Sequence, residues 1–170
     1  MSGDGVTSLM NGRLVEITSA PVDGRLGGKS FGLRWLADRG YRVPETWILV
    51  EPQRDEPDTA ILLRSIIRPD RSYAIRSSAN VEDGGRVSYA GQFTSVLGVR
   101  GLDSVCAAVS DVLASADSEG VTAYREHQHD ARAVMMSVII QEMVEPAVSG
   151  VAFSKNPITG LNETVIEAVE

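Results

Sequence analysis

The sequence predicts an α+β fold, in which short strands form a sheet flanked by helices. Three observations carry this reading. Residues 102–115 place Leu102, Val105, Cys106, Val109, Val112 and Leu113 on one face of an amphipathic helix. Short apolar or alternating runs recur along the chain, and turn residues separate them. The chain has 170 residues, 43% of them apolar, and no internal repeat, which is enough for the packed core of one domain or of one domain plus part of another.

The elements follow in order. Residues 1–12 are small and polar, a composition expected to fray. "RLVEI" at 13–17 alternates and reads as a short strand. After a glycine-rich loop, a helix fits 29–39, with Phe31 and Trp35 four apart, Leu36 beside them and Gly40 as its stop. "TWILV" at 46–50 reads as a buried strand after Pro44. Pro52, Pro57 and Pro69 mark 51–72 as a connector holding one short helix over 59–67. Residues 72–78, "SYAIRSS", read as a strand ending in a polar turn, followed by a glycine-rich loop over 80–92 and a returning strand over 93–99. A weaker helix fits 118–127. Strands are expected over 135–144 and 149–154, joined through Glu145 and Pro146, and over 164–169, with nothing after it to pair or cover it.

Charge and cysteine usage narrow the function. A net charge of −7 argues against duplex nucleic acid as a partner, because phosphate-backbone binding needs dense Lys and Arg. A nucleotide needs only one or two well-placed cations and stays open. Cys106 is the single cysteine, so it forms no internal disulfide and fits a reducing compartment. The start "MSGDGVTSLMNG" lacks the features of a signal peptide, and the longest apolar run, 105–109, is far too short to span a membrane. The expectation is a soluble, cytoplasmic protein with no membrane partner.

Gly28-Lys29-Ser30 raises the question of a phosphate-binding P-loop. That motif places its first glycine five residues before the second, at a position held here by Asp23. Gly24 is one residue late, so the loop would be short, with a carboxylate near the phosphate. Read alone, the segment is a glycine turn before a helix. Glu82 and Asp83 are adjacent and point apart on extended backbone, which suits loop anchoring better than paired acid–base work. His127 and His129 read as polar residues at a helix end.

Three longer stretches add a resemblance. "GGKSFGLRWLADRGYRVPETWILV", "YAIRSSANVEDGGRVSYAGQFTSVLGVRG" and "SVIIQEMVEPAVSGVAFSKNPITG" occur in the order seen in the phosphoenolpyruvate synthase and pyruvate phosphate dikinase family, a group that includes the rifampin phosphotransferases. Together they cover most of 27–170. The resemblance implies the N-terminal part of an ATP-grasp nucleotide-binding domain, with a mixed or antiparallel sheet. It implies a flexible N-terminus over 1–12, an N-terminal lobe over 13–134, and a hinge with the first strands of a second lobe over 135–170.

The resemblance also implies roles. Lys29 would be a cation on the ATP phosphates, and Arg76 a second, planar clamp. Ser88, Ala90, Gly91 and Gln92 would belong to a loop over the phosphates. Gln141, Glu142, Met143 and Val144 would form a hinge that reads adenine through backbone groups, with Met143 and Val144 giving apolar contact. The phosphohistidine of the family sits on a separate domain, so neither His127 nor His129 takes that part. The connector over 51–72 is shorter than usual in the family, and Thr94 stands where many relatives are acidic. The family's Mg²⁺ ligands lie further along the domain than residue 170, so catalytic residues stay unassigned and no metal ligand is expected in this chain. The expected function is the ATP-binding portion of a phosphotransferase, moving a phosphoryl group through a histidine on another domain or subunit to a small acceptor. The chain alone is expected to be inactive. The alternative is a non-catalytic module that binds a nucleotide or a partner protein.

Overall fold

The computed structural model describes residues 13–20, 26–52, 57–80, 93–117 and 135–170. Among them the elements run β1 (Leu14–Glu16), α1 (Gly27–Asp38), β2 (Thr46–Leu49), α2 (Pro57–Arg64) and β3 (Tyr73–Ala79). They continue with β4 (Ser95–Val99), α3 (Leu102–Ala114), β5 (Met136–Glu142), β6 (Ser149–Phe153) and β7 (Val165–Val169). The fold is α+β. The expected helix over 118–127 lies outside the described residues.

Five strands form one sheet in the order β1-β2-β5-β3-β4, and every pairing is antiparallel. The centre is β5. It pairs with β2 on one side and β3 on the other. Its residues Met136 to Gln141 are all buried, as a strand covered on both faces requires.

Strand alternation sorts the side chains into two layers. Leu14, Leu49, Tyr73, Ile75, Val138 and Ile140 share a core with Leu63 of α2 and with Val105, Val109 and Val112 of α3. The buried positions of α3 fall on the stripe expected from its sequence period. Burying a Val, Leu or Ile side chain contributes roughly 1.5–3 kcal/mol relative to leaving it exposed, so Ile75→Ala should cost about 2–5 kcal/mol. On the opposite face Ile48 and Val50 pack with Ile17, Ala20 and Leu26.

Helix α1 covers this second face in an unexpected way. Phe31 and Trp35, the pair that marked the helix in the sequence, are 48% and 43% exposed. The helix is buried instead through Gly27 and Ser30 at its first turn. Arg34 ties it to the chain ahead, its Nη1 donating to the carbonyls of Ile17 and Ala20. Arg39 lies over the Trp35 ring, 3.7 Å from its centroid. The stop at Gly40 is as expected: its φ is +76°, and Tyr41 N–H donates back to the Leu36 carbonyl.

The remaining strands, β6 and β7, pair antiparallel as a separate two-stranded sheet. The strand expected to lie unpaired is therefore covered along one edge. Every residue of β6, and all of β7 except Val165, is exposed. No helix among the described residues is long and apolar enough to cross a membrane.

Candidate nucleotide site

The segment Arg76-Ser77-Ser78 lies inside β3, not in a turn after it, and both serines are fully buried. Each residue makes a different connection. Ser78 Oγ donates to the Leu26 carbonyl at 2.6 Å and accepts from Ser30 N–H at 3.0 Å. It thereby caps the start of α1 from a neighbouring strand and fastens the helix to the sheet. Gly27 makes the close approach possible. Its φ is +72°, and an added Cβ would stand 2.4 Å from the Ser78 carbonyl carbon and oxygen. Only glycine fits there.

Fastening the first turn of α1 brings Lys29 to β3. Its Nζ donates to Ser77 Oγ at 3.3 Å. One residue earlier on the strand is Arg76, which is half-buried and makes no ion pair with a described residue. Its Nη1 donates to Gln141 Oε1 at 3.4 Å. Gln141 is buried, and its Nε2 donates to Thr46 Oγ1 at 3.0 Å. Thr46 Oγ1 in turn donates to the Pro44 carbonyl at 2.7 Å. A polar row thus crosses β2, β5 and β3 on the face that α1 covers. Ser30 Oγ is buried without a hydrogen-bond partner.

The structure joins Arg76 of β3 to Gln141 of β5, and joins Lys29 of α1 to Ser77, the residue next to Arg76 on β3. Glu142 belongs elsewhere, because it alternates with Gln141 and faces the other way. Its carboxylate accepts from Arg71 Nη1 at 2.5 Å and Arg68 Nη2 at 3.1 Å. Arg68 also reaches Glu45 at 2.7 Å, a hydrogen bond that is the main cause raising its pKa. Arg68, Arg71 and Glu45 are exposed, so their pairing adds little stability. The backbone N–H of Glu142 donates to the Glu45 carbonyl and that of Met143 to the Ser72 carbonyl, both at 2.8 Å. Val144, past these bonds, is 58% exposed. Ser88, Ala90, Gly91 and Gln92 lie outside the described residues.

Arg76 offers a guanidinium beside the Gln141 amide, and Lys29 an ammonium at the adjacent Ser77, two cations of the kinds that suit an anion with several oxygens. Among the described residues no group of three or more His, Cys, Asp or Glu could hold an ion. Gly27, Thr46, Ser77 and Ser78 were not singled out by the sequence. The Arg-Ser-Ser run was the signal for the two serines and the Gly-Gly-Lys run for Gly27, while Thr46 had none.

A family model described as "Pyruvate phosphate dikinase, AMP/ATP-binding domain" matches residues 61–169, a span that includes Arg76 and Gln141 but not Lys29. The chain is 37% identical over 137 residues to the phosphoenolpyruvate synthase of Escherichia coli strain K12, covering 76% of this chain and 17% of that protein. It is 39% identical over 139 residues to a rifampicin phosphotransferase of a Streptomyces species, covering 81% of this chain and 16% of that protein. It therefore spans about one-sixth of the length of these relatives. With its model matching more than half of the chain, the family is shown: this chain belongs to the pyruvate phosphate dikinase AMP/ATP-binding domain family.

Proposed function

We propose that the α1-covered face of the five-stranded sheet binds ATP, with Lys29 and Arg76 on the phosphates. The observation that carries this reading is the half-buried Arg76 guanidinium, held by a neutral amide and by no described carboxylate. Such a group keeps its charge available for an incoming anion. Lys29 supplies a compact second charge, while the Arg76 fork can meet two phosphate oxygens at once. The adenine would be read near 141–144. Because the Glu142 and Met143 N–H groups already bond backbone carbonyls, the Val144 N–H is the donor we assign to the base. Ser88, Ala90, Gly91 and Gln92 would close over the phosphates.

In the whole protein, the bound nucleotide would give a phosphoryl group, through a histidine on another domain or subunit, to a small acceptor. Mg²⁺ would balance charge on the moving group. No step is assigned to it in this chain. Here the residues' work is to bind and orient the triphosphate.

Isothermal titration tests the reading. Arg76→Ala and Lys29→Ala should each weaken ATP binding about tenfold or more, the scale of one charge-assisted hydrogen bond of ~1.5–3 kcal/mol. Unchanged affinity in both variants would remove the assignment.

A further inference from the structure

We infer that Thr46 is a positioning residue for the phosphate site, acting through Gln141 on Arg76. The inference rests on the reading of this face as nucleotide-binding and adds to it a residue that touches no nucleotide.

Thr46 is fully buried, and its hydroxyl has one proton. That proton is committed to the Pro44 carbonyl, 2.7 Å away. The Thr46 oxygen can then only accept, and the group facing it is Gln141 Nε2 at 3.0 Å. The two ends of the Gln141 amide are thereby sorted: nitrogen to Thr46, oxygen to Arg76. The reversed amide would set N–H donors against the guanidinium's own donors, and its carbonyl against a hydroxyl with no proton left to give.

The backbone holds this arrangement in place. Gln141 pairs with Thr46 on one side and Ala74 on the other, so its side chain cannot shift along the strand. Arg76 is thus anchored at one N–H by an acceptor of fixed direction, and its remaining donors are left for an anion. This is preorganisation: an arginine held before the ligand arrives loses less freedom on binding. Losing the Thr46 hydroxyl frees the amide to turn and removes the anchor from Arg76. The contacts to the base are untouched.

The test is titration of the 170-residue chain with ATP and with adenosine, in the parent and in Thr46→Val, Thr46→Ser, Arg76→Ala and the Thr46→Val/Arg76→Ala pair. Valine keeps the shape and the strand preference of threonine and removes only the hydroxyl. Thr46→Val should weaken ATP about fivefold to tenfold, the scale of one hydrogen bond to a charged group. Adenosine affinity should hold within about twofold, since no phosphate contact is involved. Thr46→Ser should restore ATP affinity, and Thr46→Val should add no further loss once Arg76 is alanine.

Parent-like ATP affinity in Thr46→Val, with Arg76→Ala weakened, overturns the inference and spares the site. So does an equal loss of ATP affinity in the Arg76→Ala background, or an equal loss for adenosine. If the parent binds no ATP, or Arg76→Ala binds it as the parent does, the site falls and the inference with it. Should Thr46→Val not fold, Thr46→Ala removes the same hydroxyl with a smaller side chain. It should show the same ATP-selective loss, and its absence overturns the inference equally.

Discussion

Gly27 acts through the side chain it lacks. A methyl group there would collide with the Ser78 backbone from a φ of +72°, so the first turn of α1 would have to lift off β3. Gly27→Ala should cost roughly 2 kcal/mol or more in urea unfolding, the range for alanine forced into a left-handed, crowded position. It should also weaken ATP binding, because Lys29 rides on the same turn. A parent-like unfolding midpoint would show that the turn is not held as closely as the geometry requires. The sequence marked Gly-Gly-Lys as a unit but gave no means to tell which glycine mattered. It marked Arg-Ser-Ser as a turn because serines are common in turns, whereas here they cap a helix and receive a lysine from inside a strand. Thr46 was invisible for the opposite reason: a threonine in a strand needs no explanation.

At the scale of elements, α3 and α1 show when a periodic pattern can be trusted. Helix α3 packs by its apolar stripe, so its period revealed both its existence and its buried face. Cys106 lies at the margin of that stripe, and burial pushes its thiol pKa up, with Asp103 adding to the effect. Less of it is thiolate at a given pH than in a free cysteine, and the thiolate is the form that reacts. Iodoacetamide should therefore modify folded protein more slowly than unfolded protein at pH 8, a common assay pH. The reaction should speed up as pH rises, and mass spectrometry would follow it. Equal rates in folded and unfolded chains would contradict the burial of the thiol. Helix α1 packs by a glycine and a serine at its end, so its most apolar residues pointed to the face that stays exposed. The hinge expected at 141–144 also divides: Gln141 and Glu142 end the central strand on opposite faces, while Val144 lies beyond its last backbone bonds.

At the scale of the whole molecule, the sequence made most strands legible but not their order. Placing β5 between β2 and β3 depends on pairings such as Thr46 with Gln141 and Arg76 with Ile139, far apart in the chain. No local pattern encodes those contacts, yet they assemble the polar row. The same topology separates a five-stranded sheet with two covered faces from the exposed β6–β7 hairpin. A two-stranded hairpin without a covering layer is marginally stable in water. Its amides should exchange with deuterium about a hundredfold faster than those of β5, because opening it costs far less than opening the core. Equal protection would mean that something covers the hairpin in solution. Whether Arg76 meets the nucleotide on the α1-covered face can be read from NMR of the arginine side chains during an ATP titration. The Arg76 Nε–H signal should move as ATP binds, while those of Arg68 and Arg71, paired with Glu142 on the opposite face, should stay in place. ATP binding that leaves the Arg76 signal unmoved would contradict that contact.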